Sequence, residues 1–237
     1  MDSAIGPLSQ ARREHLAWSG LNAVTAIGAA KAFLDRVGHG RISRLLSRPR
    51  FLRGPSLEFP VVSPTIETAR LQLRPHSMVD VDEWYSIVSD PRLVRYLSWP
   101  VRDRAAAKHH LRDRTRHTRL SQVDDFFALA IVRDNRLIGD VSLQIRSVNP
   151  EVRSVEVGWV LAAAHQGYGF ATEAVGAILR IAFEQVGARL AMAVIDEANT
   201  PSIALATRLG FIELSHRSQK RLFILAEPPR GLPGGRS

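Results

Sequence analysis

From about residue 65 onward, apolar and polar positions fall into two alternating rhythms along the chain. Phe126–Arg133 and Leu137–Arg146 are apolar runs on either side of Asp134-Asn135-Arg136, the pattern of two strands joined by a polar turn. Val152–Leu161 alternates around one acid, Glu156, and reads as a further strand. Ala171, Ala174, Val175, Ile178, Ala182 and Val186 then recur at helical spacing and predict a helix over Gly169–Val186. Arg189–Asp196 is the next strand. Thr200-Pro201 opens a short helix as a cap followed by proline, and Gly210 closes it. Phe211–His216 and Arg221–Ala226 form a last hairpin. Upstream, Ile66–Arg74 reads as the first strand, and Val79–Ser89 and Asp103–Gln122 as helices. Strands interleaved with helices predict an α/β domain.

Charge divides the chain. Residues 1–55 hold nine Lys/Arg against three acids, whereas residues 56–227 hold twenty-one against twenty. The net charge of +9 therefore belongs mainly to the N-terminal segment. We divide the chain into a basic extension over 1–60, partly helical or disordered, a folded domain over 61–227 and a disordered Pro/Gly tail over 228–237. Within the extension, residues 8–34 carry a partial helical stripe, and 38–55 hold five arginines broken by Gly and Pro. This arm is either a solvated segment or a contact for RNA, the ribosome or an acidic partner. Arg12-Arg13 precede a stretch too poorly hydrophobic for an export signal. No run of 18 apolar residues occurs, so no membrane span is expected. The absence of cysteine excludes disulfides, thiolate metal sites and thiol nucleophiles.

Gln166-Gly167-Tyr168-Gly169-Phe170-Ala171 lies between the Glu156 strand and the long helix. A Gly-rich turn at a helix N-terminus offers free N–H groups to a phosphate, and glycine lets the backbone approach it. The turn fits neither G-x-G-x-x-G nor the Walker motif. In order and spacing it resembles the pyrophosphate loop Gln/Arg-x-x-Gly-x-Gly/Ala of the GCN5-related N-acetyltransferases (GNAT). Thr68-Ala-Arg-Leu-Gln-Leu-Arg-Pro75, Asp90–Leu97, Leu137–Val141, Glu156–Trp159, Asn199–Ser202 and Leu209-Gly210-Phe211 agree with the RimJ/RimL-like branch of that family. The resemblance covers about residues 65–226.

That resemblance implies a GNAT fold: a mixed central sheet of six to seven strands, helices on both faces, and a V-shaped splay between the fourth and fifth strands. It implies acetyl-CoA as co-substrate and a primary amine as acceptor, either a protein N-terminal α-amine or a small molecule, antibiotic, polyamine or aminoacyl-tRNA. A regulatory acyl-CoA-binding domain with little turnover is the reading of another class. A cytoplasmic location and a homodimer also accord with the family. Carried over residue by residue, the pantetheine arm would pair with Trp159, Val160 and Leu161. The pyrophosphate would meet Gln166, Gly167, Tyr168, Gly169, Phe170 and Ala171, with Thr172 adding a hydroxyl. Asn199 would lie near the cofactor amide and Ser202 near its sulfur, although both also suit helix capping. Glu156 is the candidate base, or else a carboxylate paired with an arginine of a neighbouring strand. The tyrosine that many members use as thiolate acid is Ala206 here, which leaves that role to Ser202, to water, or to no group at all, since a thiol is a tolerable leaving group. No metal site is expected. His109, His110 and His117 are read as solvated helix surface, and Trp84, Tyr85, Tyr96 and Trp99 as core or cleft lining.

Overall fold

Strand alternation places apolar side chains on both sides of one sheet in the computed structural model, which describes residues 54–226. The expected helix over 8–34, nearly all of the basic segment and the tail lie outside the described residues. The strands are β1 (Ser56–Val62), β2 (Ile66–Glu67), β3 (Gln72–Pro75), β4 (Arg119–Gln122), β5 (Phe126–Arg133), β6 (Arg136–Ser147), β7 (Ser154–Leu161), β8 (Leu190–Asp196), β9 (Ile212–Arg217) and β10 (Lys220–Leu225). The helices are α1 (Val81–Val88), α2 (Pro91–Val94), α3 (Arg104–Arg116), α4 (Phe170–Arg180) and α5 (Thr200–Arg208). Eight strands form the main sheet in the order β2-β3-β5-β6-β7-β8-β10-β9, and β1 and β4 form a separate ribbon. Every pairing is antiparallel except β7 with β8.

The expected α/β sheet with helices on both faces is present, with more strands than expected. Ile66–Arg74 is not one strand. Thr68 breaks it into the hairpin β2–β3: its N–H donates to Leu71 O at 2.9 Å and its hydroxyl accepts from Leu71 N at 3.1 Å. The helix expected over Asp103–Gln122 ends at Arg116, and residues 119–122 become β4. Ala107, Leu111 and Arg114 form the inward face of α3. Leu120 is out of phase with that face, yet it is fully buried beside Val61 of β1. Burying it requires the chain to leave the helix. Strand β1 crosses the expected domain boundary at residue 61, and its Leu57 and Val61 belong to the main core.

Two hydrophobic clusters sandwich the sheet. Leu129, Ile131, Val141, Leu143, Val155 and Val157 face α4 and its Ala174, Val175 and Ile178. The opposite face brings Ala130, Val132 and Val160 against Trp84, Val88, Ala107 and Leu111 of α1 and α3. The β5–β6 turn has φ of 49° at Asp134 and 61° at Asn135, the left-handed pair that a two-residue hairpin needs. Among the described residues no helix is long and apolar enough to cross a membrane.

Leu143 is fully buried at the centre of the larger cluster. Leu143→Ala is expected to cost about 2–5 kcal/mol through lost burial and the cavity left behind, measured as a lower urea midpoint with an unchanged slope.

Candidate functional site

Beyond β7 the chain makes a short 3-10 turn, Ala163–His165, and then the glycine loop into α4. Gly167 and Gly169 have φ of 85° and 80°, the left-handed region where a Cβ brings strain. The helix ladder starts with Glu173 N–H donating to Gly169 O at 3.1 Å. The N–H groups of the first turn therefore stand outside the ladder, at the positive end of the helix dipole. Gln166 Nε2 donates to Leu161 O at 2.9 Å and ties the loop to the strand end.

The loop is braced from the other end of the domain. Glu173 accepts from Thr68 Oγ1 at 2.6 Å, from Arg70 N at 2.8 Å and from Arg70 Nε at 2.7 Å. Burial alone would raise the Glu173 carboxyl, but the hydrogen bonds from Thr68 and Arg70 outweigh it and hold the group below the usual range. Arg70 Nη1 donates to Tyr168 O at 2.9 Å, and Nη2 lies 3.4 Å from where a Cβ of Gly169 would sit. The guanidinium groups of Arg70 and Arg133 stack on Phe170 at 4.8 and 4.6 Å. Sequence reasoning used Thr68 and Arg70 only as family markers and did not assign them to the site. Arg70 lies 98 residues from Tyr168 in the chain, and no local pattern links them.

Strands β7 and β8 pair at Ser154–Leu190, Val155–Ala191 and Glu156–Met192 and then part. This is the expected splay, and clefts open on both sides of it. The first, of about 500 Å³, is lined by Trp159, Val160, Leu161, Gln166, Gly167, Gly169, Phe170, Ala171, Thr172, Asn199 and Ser202. Tyr168 does not line it; its ring is exposed and stacks on Phe170 at 5.8 Å. The second cleft, of about 460 Å³, holds Glu156 and the α3 residues His110 and Arg114. Tyr96, Leu97, Trp159, Val160, Asn199 and Ser202 belong to both walls, so the clefts meet at the splay. A third hollow beside the loop carries Arg70, Arg180 and Arg208.

Glu156 Oε2 accepts from Arg146 Nε at 2.9 Å and also from its Nη2, while Arg146 Nη1 reaches Asp124 Oδ1 at 3.0 Å. The carboxylate is thus paired with a neighbouring strand and also lines the second cleft. Asn199 caps α5, its Oδ1 accepting from Ser202 N at 3.3 Å. The Ser202 hydroxyl accepts from Trp159 Nε1 at 3.2 Å, a bond that spans the splay. Ala206 is fully buried in the main core. Trp84 is core, whereas Tyr96 and Trp99 line the second cleft. His110 corrects the expectation of a solvated histidine. It packs between Trp84 and Trp99, at 5.5 and 5.2 Å between ring centroids, because the inward face of α3 meets aromatic side chains there. Among the described residues no group of three or more metal-ligating side chains is arranged to hold an ion.

Comparison with known proteins identifies the family of the chain. The model of the acetyltransferase (GNAT) domain matches residues 70–212, more than half of the chain. The chain belongs to the GNAT acetyltransferase family. The acetyltransferase is 28% identical over 148 residues to "Uncharacterized N-acetyltransferase p20" of Bacillus licheniformis, covering 62% of this chain and 82% of that protein. A GNAT-family acetyltransferase structure from Bacillus anthracis superposes with a TM-score of 0.58 at 17% identity, over 69% of this chain and 98% of that one. RimL, the ribosomal L7/L12 α-N-protein acetyltransferase, gives 0.56 at 16% identity, over 69% and 94%. The acetyltransferase uses acetyl-CoA. Gly169, Phe170, Ala171 and Thr172 line the first cleft, so the unladdered N–H groups at the start of α4 are of a kind that suits its phosphates.

Arg70→Met is expected to weaken acetyl-CoA binding about tenfold, the order of one lost charge-assisted hydrogen bond. Gly169→Trp should abolish binding, and calorimetry checks both. A second expectation concerns pH. Burial, then the charges of Arg114 and Arg102, push the His110 imidazole down to about 3 from its ordinary 6.5. Between those values the unfolded chain holds a proton that the folded chain lacks, so this contribution to stability is present above 6.5 and declines as the pH falls toward 3. His110→Phe should flatten the fall in urea midpoint across that window.

Proposed function

We propose that the acetyltransferase transfers the acetyl group of acetyl-CoA directly to a primary amine held in the second cleft. The observation that carries this reading is the meeting of the two clefts at Trp159, Asn199 and Ser202. A donor in the first cleft and an acceptor in the second would approach each other through the β7–β8 splay without leaving the protein. That arrangement suits a ternary complex better than a relay through an acylated side chain. Acetyl-CoA brings the activated acyl group as a thioester.

The chain's own residues then have separable tasks. Glu156, on the acceptor side, takes the amine proton through water, and Arg146 holds its carboxylate at the cleft wall. Ser202 is the proton donor for the departing thiolate, since Ala206 has no hydroxyl. The Trp159 indole N–H occupies a lone pair of Ser202 Oγ. The hydroxyl hydrogen is thereby left to point toward the cleft rather than back at the indole. Among acceptors, a protein N-terminal α-amine is supported by the likeness to RimL, and a small-molecule amine by the volume of the second cleft, about 460 Å³.

Glu156→Gln should lower kcat about 100-fold, the usual weight of a general base, with acetyl-CoA affinity unchanged. Ser202→Ala and Trp159→Phe should each lower kcat, and the double variant should be no worse than Ser202→Ala alone, since the indole acts through the hydroxyl. Acceptor-dependent thiol release is the assay. Normal turnover in Glu156→Gln would remove the base assignment.

A further inference from the structure

The second cleft has an unusual wall. Arg114 of α3 lines it with only 6% of its side chain exposed. Its Nη1 lies 3.2 Å from Asp140 Oδ2, and that oxygen is already bonded to His76 Nε2 at 2.7 Å. Arg114 Nε is buried with no hydrogen-bond partner. The guanidinium otherwise rests on the rings of Trp84 and Trp99, at 5.0 and 5.5 Å. Arg102 stands close by. Its Nε is likewise buried and unpartnered, and no described carboxylate pairs with it. Burial and the charge of Arg114 both disfavour its protonated form. Trp99 Nε1 and His110 Nδ1, in the same wall, are also buried without partners.

Guanidinium donors buried without acceptors are costly, and burying a charge with too little countercharge costs more. The other acids of the cleft do not redress the balance. Glu156 is held by Arg146, and Asp196 by Lys220 at 3.0 Å. Each acid of the cleft therefore has its cation, Asp140 having Arg114, while the Arg114 Nε and Trp99 Nε1 donors in the wall have no acceptor. A cationic portion of an acceptor would find no unpaired carboxylate here. An anionic oxygen group would find guanidinium and indole donors that no protein acceptor engages, the kind of partner arginine offers to carboxylate or phosphate.

We propose that the acceptor is an amine carrying a carboxylate or phosphate, which Arg114 receives on the α3 wall. This specificity rests on the transfer reading above, and the amine and the anion would then occupy opposite ends of the same cleft. Polyamines and polycationic antibiotics are excluded as preferred acceptors on the same grounds.

The test measures binding and turnover separately. Binding is followed by calorimetry in the presence of CoA, and turnover by thiol release from acetyl-CoA. The matched probes are phosphoethanolamine against ethanolamine, phenylalanine against phenylalaninamide, and spermidine as the polycation. The expected result is a preference of at least about tenfold for the anionic member of one pair, which also says whether phosphate or carboxylate is read. Arg114→Gln should reduce that preference, leaving the neutral member and acetyl-CoA affinity unchanged. Equal binding of charged and neutral members, preference for spermidine, or a variant that weakens both members alike would overturn the proposal. Selective binding without thiol release would keep the anion site and sink the transfer reading. Release without selectivity would do the opposite.

Discussion

Parallel pairing between β7 and β8 lasts for three residue pairs, and the functional region exists because it stops there. Up to Glu156 and Met192 the two strands form part of a continuous sheet, with Val155 and Ala191 in the main core. Beyond that point β7 keeps its partner β6 and β8 keeps β10, so each strand stays hydrogen-bonded on its outer side. Strand edges inside a fold are normally covered or paired. Here the open edges face clefts on both sides of the sheet. The cofactor loop, the candidate base and the cap of α5 all lie at the mouth or the walls of that one opening.

Arginine–carboxylate pairs set the details around it. Arg70 and Glu173 join the β2–β3 hairpin to the first turn of α4, so the glycine loop is supported by a segment distant in sequence. Arg146 spans Asp124 and Glu156 on the acceptor side. Arg114 and Asp140 form a buried pair, with the guanidinium against Trp84 of α1 and Trp99 of the segment before α3. Burial would raise the Asp140 carboxyl, but Arg114 and the His76 hydrogen bond hold it well below the usual range. Buried pairs of this kind add little net stability compared with an apolar core of equal volume, but losing one partner is expensive. The arginine–carboxylate contacts hold strands and helices at fixed spacings, and two of the three stand in the wall of the second cleft.

Much of this was readable from local pattern because local forces decide it. The Asp134-Asn135 turn, the apolar stripe of α4 and the cap at Asn199 depend on residues within a few positions of one another. The glycine turn before α4 was readable for the same reason, since left-handed φ and a place before a helix are properties of a short segment; its cofactor role came from the family resemblance. Leu120 shows the opposite case. The stretch 103–122 has no glycine or proline to stop a helix, and only the contact with Val61 across the β1–β4 ribbon explains the break. Thr68 likewise ends β2 through bonds to Leu71 and Glu173, one of them 105 residues away.

The amino-acid sequence by itself determined the order of strands and helices from β5 to β10, the glycine loop with its helix, and the chemical types present near Glu156 and Ser202. Backbone preference and hydrophobic period are carried by neighbouring residues, so they survive without knowledge of the fold. The tertiary structure alone decided that Arg70 supports the loop, that Trp159 bonds Ser202, that Arg146 holds Glu156, and that Arg114 and Asp140 pair in a buried wall. Each of these depends on which side chains are brought within about 3 Å of each other or into one desolvated wall. That distance is set by strand register and helix packing between segments far apart in the chain.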